Sequence, residues 1–94
     1  MTISVRLIGA LRHAAGTDKF TVKYRENFAV KELIEKITAQ TPELKRNLTN
    51  SYLEDQRLNA LVLVNASEIS ALNGLETILE DGDEVVLIPV VHGG

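Results

Sequence analysis

Apolar and polar positions alternate at the start of the chain. Ile3, Val5 and Leu7 fall on one side, and Thr2, Ser4 and Arg6 on the other. A period of two predicts a half-buried strand. Ile8 breaks the alternation by placing an apolar side chain on the polar side, and Gly9 ends the strand. Residues 10–15 (ALRHAA) form a short helix-prone stretch, with Gly16 placed to cap it. Alternation resumes with Phe20, Val22 and Tyr24 against Thr21, Lys23 and Arg25. This predicts a second strand, antiparallel to the first. Over residues 29–40 the period changes. Val30, Leu33, Ile34 and Ile37 make one stripe of an amphipathic helix, with Lys31, Glu32, Glu35 and Lys36 on its polar face. Pro42 ends that helix before Thr41, and the same Thr41-Pro42 pair starts a second short helix through Leu48. Residues 49–58 are polar and mixed and read as a loop.

Two later segments are continuously apolar: residues 61–64 (LVLV) and 85–88 (VVLI). Such runs suit strands covered on both faces. Asn65 turns the chain after the first run, and a short strand is expected around Glu68 and Ile69. Residues 74–79 suggest a helical turn, and Asp81-Gly82-Asp83 is a turn signal ahead of the last strand. Pro89 has no amide donor, so regular pairing is expected to end near Ile88. The long apolar last strand belongs at the centre of the sheet, parallel to the first. This order predicts an α+β, ubiquitin-like β-grasp. It is a single domain over residues 1–94, with residues 90–94 a flexible tail and one main helix packed across a small mixed sheet.

Composition narrows the function. The 94 residues are 45% hydrophobic and 24% charged, enough for one core and too few for two domains. Net charge is -3, which argues against nucleic-acid binding through phosphate neutralisation, and Lys45-Arg46 is too small a basic patch to change that. There is no cysteine, so disulfides, thiolate metal sites and a thiol nucleophile in this chain are all excluded. That fits a reducing cytoplasm. No apolar run has membrane-crossing length, and the N-terminal residues lack the features of a cleaved signal peptide. His13 and His92 are far apart in sequence and read as solvated, and no metal site is expected from them. Glu80, Asp81, Asp83 and Glu84 surround Gly82 without EF-hand spacing and read as a solvated turn.

The candidate chemistry lies at the end of the sequence, Pro89-Val90-Val91-His92-Gly93-Gly94. A central strand running into these residues would project them from the body. Two glycines without Cβ atoms can thread a narrow channel in another protein. A free α-carboxyl ionises with a pKa of about 3.5, so at neutral pH it is an anion and a poor electrophile. Reaction at Gly94 therefore requires activation, for instance as a mixed anhydride with AMP, after which the acyl carbon accepts sulfur or an amine. Parity adds a second candidate. If Ile3, Val5 and Leu7 face the helix, Ile8 faces away, and one alternate set of the last strand does likewise. An apolar patch near Ile8 and Ile88, rimmed by Arg6, is expected on the outer face of the sheet as a docking surface. The competing expectation is that residues 41–58 cover this face.

The sequence resembles the small subunit of molybdopterin synthase and its archaeal relatives, the ubiquitin-like sulfur carriers and small modifier proteins. The resemblance rests on Leu11-Arg12 through Ala15-Gly16, Leu63-Val64-Asn65, Gly74-Leu75-Glu76-Thr77, the run LEDGDEV at residues 79–85, Pro89, Val91 and the closing Gly93-Gly94. It implies that an enzyme similar to the ubiquitin-type E1 adenylates Gly94 with ATP, and that sulfur transfer then makes a thiocarboxylate. The loaded tail would enter a larger catalytic subunit and give sulfur to a pterin precursor, with Gly93 supplying clearance and Val91 and His92 contacting the channel. The chain would be a consumable co-substrate, with no bound cofactor, and not an enzyme alone. Many family members have proline at the position of Val90, a small residue at that of His92 and glycine at that of Ala66. Three other destinations stay open. These are an isopeptide bond from Gly94 to target-protein lysines, sulfur delivery for transfer-RNA thiolation, and a plain interaction module with an inert tail.

Overall fold

Alternation at residues 3–7 places three side chains under one face of a strand, and the structure builds on that strand. The computed structural model describes residues 1–48 and 60–90. Strand β1 (Thr2–Leu7) is followed by helix α1 (Ala10–Ala15) and strand β2 (Lys19–Lys23). Gly16, in the left-handed region, caps α1 by donating its amide to the Arg12 carbonyl. Helices α2 (Val30–Gln40) and α3 (Pro42–Leu48) come next. Strands β3 (Ala60–Val64) and β4 (Ser67–Glu68), two 3₁₀ turns (Ile69–Ala71 and Gly74–Glu76) and strand β5 (Glu84–Pro89) complete the described chain. The strand expected around Glu68 and Ile69 thus lies one residue earlier, and Ile69 opens a turn. Pairing of the last strand reaches Pro89, opposite Ala60, one residue beyond expectation.

The sheet order is β2-β1-β5-β3-β4. β5 is the middle strand, parallel to β1 and antiparallel to β3. α2 and α3 cover one face. Ile3, Val5 and Leu7 of β1, Val62 and Val64 of β3, and Val85 and Leu87 of β5 form the core with Val30, Leu33, Ile34 and Ile37 of α2. Leu44 and Leu48 of α3 are fully buried in the same core, and α3 packs against α1 and α2. Residues 42–48 therefore belong to the covered side, and the remaining residues once expected to cover the outer face, 49–58, lie outside the described residues. No helix among the described residues is long and apolar enough to cross a membrane.

One expectation is corrected. Among the described residues, β3 and β5 are covered on one face only. Leu61 is 43% exposed, while Leu63, Val86 and Ile88 are half-buried beside buried Val62, Val85 and Leu87. An apolar run conceals its period, because both alternating sets are apolar, so the uncovered set cannot be told from a second core face.

Candidate functional site

Strand register assembles the outer face. Arg6 lies opposite Val86, and Val86 opposite Leu63. One step along, Ile88 lies opposite Leu61. Ile8 donates its amide to the Leu87 carbonyl and is 40% exposed. Directly opposed residues share a face, so Val86, Ile88, Leu61 and Leu63 form one apolar stripe, extended by Ile8 and bordered by Arg6. At the other end of β5 the same face turns polar, where Ser4 opposes Glu84. The apolar end is the end at which the chain leaves the sheet.

That exit is tightly bounded. Pro89 sits beside Ala60 and against Gly9. Gly9 has φ of 60°, and a Cβ there would stand 3.2 Å from Cγ of Pro89. Glycine is required by both the backbone angle and the close approach. Val90 is exposed. Val91, His92, Gly93 and Gly94, the residues singled out for acyl chemistry and channel contacts, lie outside the described residues.

The far end of β5 is anchored by side chains. Asn65 Nδ2 donates to Asp83 Oδ1 at 2.8 Å, and the Glu84 amide donates to Asn65 Oδ1 at 3.0 Å. Asp83 Oδ2 accepts from the Glu80 amide at 2.7 Å. Both Asp83 oxygens are therefore used in fixing the turn. Among the described residues, no group of three or more His, Cys, Asp or Glu could hold a metal ion. His13 is exposed on α1. An open groove of about 300 Å³ is lined by Ala60, Val62, Glu68, Ile69, Ser70 and Leu75. Its one carboxylate, Glu68, accepts from the Ser70 amide, which lowers its pKa. The walls of this groove are mostly apolar, and the Ser70 side chain also hydrogen-bonds to Glu68. The described surface thus offers an apolar sheet face beside the end of β5.

The family model described as the ThiS family matches residues 5–94. The chain belongs to the ThiS family. It is similar to the small archaeal modifier protein 1 from Methanosarcina acetivorans, with 31% identity, a TM-score of 0.78, and 99% of this chain and 96% of that chain covered. It is also similar to the Haloferax volcanii HVO 2177 protein, with 26% identity, a TM-score of 0.81, and 100% and 87% covered. A third similar structure is a complex of subunits 1 and 2 of molybdopterin-converting factor from Helicobacter pylori 26695. There the identity is 26%, the TM-score 0.60, and both chains are covered in full. No curated protein sequence matches the chain. The resemblance read from the sequence is therefore shown, as is the β-grasp fold. Members of the ThiS family are small ubiquitin-like sulfur carriers, and the neighbours span modifier and molybdopterin roles.

What the sequence missed is the company that Arg6 keeps. Arg6 lies directly opposite Lys19, and Lys23 stands opposite Thr2 on the same side of β2. The signal was available in the alternation of β2, but it needed the β1–β2 register to become a cluster.

Proposed function

We propose that the chain is a sulfur carrier for molybdopterin biosynthesis, charged at Gly94. The Gly94 carboxylate attacks the α-phosphorus of ATP on an E1-like adenylating enzyme and releases pyrophosphate. A sulfur nucleophile then displaces AMP, leaving a thiocarboxylate. The loaded tail enters a larger subunit, as the pairing of subunits in the Helicobacter pylori complex suggests, and gives up its sulfur there. The apolar stripe of Ile8, Ile88, Val86, Leu61 and Leu63, with Arg6 at its border, docks the enzymes that receive the tail. The observation that carries this reading is the junction of two features in a ThiS-family chain. The central strand delivers its last residues beside an uncovered apolar face.

A second reading is favoured by the 31% identity to a modifier protein. In it, a lysine amine of a target protein displaces AMP and forms an isopeptide bond to Gly94. Transfer-RNA thiolation would use the same thiocarboxylate. The deciding measurement is the mass of the C-terminal peptide of protein recovered from its own host under mild conditions. Oxygen replaced by sulfur at Gly94, with alkylation excluding oxidation of Met1, supports the carrier. A Gly94–lysine branched peptide supports the modifier. An unmodified terminus, even after incubation of host extract with ATP, overturns both.

A further inference from the structure

The apolar stripe has a charged flank on one side. Arg6, Lys19 and Lys23 are all exposed, and the strand register puts them on the outer face, along β1 and β2. Arg6 and Lys19 are directly opposed across the strand pair. Like charges in that position are destabilising. Among the described residues Arg25 pairs with Glu32 and Arg46 with Glu43, while Arg12, Lys31 and Lys36 form no ion pair; what sets the present three apart is that they gather on one face of the sheet. Arg6, Lys19 and Lys23 pair with no carboxylate among the described residues. Glu84, the acidic residue facing outward on the next strand, lies opposite Ser4 and makes no ion pair with Arg6. In a chain of net charge -3, a cluster of unpaired cations on one face runs against the overall balance.

We propose that Arg6, Lys19 and Lys23 receive a row of carboxylates on the adenylating partner, set beside the apolar surface that covers the stripe. This inference rests on the docking reading above and adds the partner's chemistry to it. An apolar contact alone is non-directional, whereas a charged row on one side of it fixes which way round the partner sits. That orientation decides whether the partner's channel meets the exit at Pro89. A nucleic-acid occupant is disfavoured because a phosphate backbone gains nothing from covering Val86, Ile88 and Leu61. A second copy of the chain is disfavoured because it would bury the sheet face alone, whereas an adenylating enzyme would also enclose the tail. Five strands about 4.8 Å apart and five residues long offer roughly 400 Å² in projection, about half of the roughly 800 Å² per partner in a standard interface.

The test uses the full chain and the adenylating enzyme purified from the same host, with pyrophosphate release as the readout. The double variant R6E/K19E is expected to raise KM for the carrier about tenfold at low salt, with kcat unchanged and a weaker dependence of KM on salt. The double variant K31E/K36E, on the exposed face of α2, makes the same change in net charge and leaves KM unchanged. Ile88→Lys raises KM by an effect that salt does not remove. Carbodiimide is expected to link Lys19 and Lys23, but not Lys36, to aspartate or glutamate side chains of the enzyme. If Ile88→Lys raises KM and R6E/K19E does not, the acidic partner is overturned and the docking reading survives. If neither variant changes KM, both fall. Links from Lys19 or Lys23 to Glu54 or Asp55 of the same chain, or salt-sensitive binding of transfer RNA without links to the enzyme, also overturn the proposal. So does the absence of any adenylation.

Discussion

The turn between β3 and β4 holds an alanine in a conformation that suits glycine. Asn65 and Ala66 join Val64 to Ser67, which pair directly, and both have positive φ, 48° and 72°. A two-residue hairpin loop with both central residues in this region is a type I′ turn, for which Asn-Gly is the favoured sequence. Asn65 tolerates the left-handed region and is held by its bonds to Asp83 and Glu84. Ala66 is exposed and has no such compensation. An L-residue with a Cβ in this region costs about 1–2 kcal/mol. Glycine removes that cost but has more freedom in the unfolded chain, worth about 0.4–1 kcal/mol. Ala66→Gly is therefore expected to stabilise the fold by about 0.5–1 kcal/mol, or about 2–8 °C in Tm for a domain of this size. The assay is thermal melting followed by circular dichroism, with urea unfolding in parallel. The urea midpoint is expected to rise with the slope unchanged, since no buried surface is altered. Asn65→Gly is the contrasting variant, and it is expected to destabilise because the two side-chain bonds are lost. An unchanged or lower Tm for Ala66→Gly refutes the assignment of strain to this turn.

Three further outcomes follow from the same physical arguments. Gly9→Ala is expected to cost about 1–3 kcal/mol in urea unfolding, because it combines a positive φ with a close approach to Pro89. Leu87→Ala, in the core, is expected to cost about 2–5 kcal/mol, whereas Leu61→Ala on the uncovered face costs under about 1 kcal/mol; equal losses in melting experiments would show that the outer face is covered. Glu32 accepts from Arg25 and from the Ala29 amide, and its pKa lies below the usual value. A depressed folded-state pKa contributes stability above the unfolded pKa of about 4.3, and that contribution is lost as pH falls through the folded value. Glu32→Gln is thus expected to lower Tm at pH 7 and to converge with the parent chain in more acid solution. A difference that persists at the lowest pH would assign the effect to packing.

How far the sequence reaches depends on contrast between neighbouring positions. Val30, Leu33, Ile34 and Ile37 stand against Lys31, Glu32, Glu35 and Lys36, and the helix they predict is observed within a residue of its expected ends. β1 is equally legible. The apolar runs predict β3 and β5 as strands but do not show which face is open, because Leu61 and Leu63 look no different from Val62 and Val64 without a helix above them. The patch could still be foreseen near Ile8 and Ile88, since Ile8 interrupts a visible alternation. The cationic flank could not be, because Arg6 and Lys19 are thirteen positions apart with α1 between them, and only their register makes them neighbours.

This division of the sheet has a consequence for how the chain can vary. The covered face holds Ile3, Val5, Leu7, Val62, Val64, Val85 and Leu87, where loss of a side chain threatens the fold. The uncovered face holds Ile8, Leu61, Val86 and Ile88, where substitution leaves the core intact. If the outer face docks partners as proposed, recognition can change without unfolding the chain, and partner preference is expected to track the uncovered residues and the flank of Arg6, Lys19 and Lys23. The two faces are nonetheless coupled at β5, whose alternate residues serve both. Val85 and Leu87 fix the strand in the core, and by doing so they fix where Val86 and Ile88 point and where the chain leaves the sheet at Pro89. A slip of one residue in β5 would exchange the side chains of the outer face with those of the core. The Asn65 bonds to Asp83 and Glu84 at one end and the Gly9–Pro89 contact at the other are placed to prevent that slip.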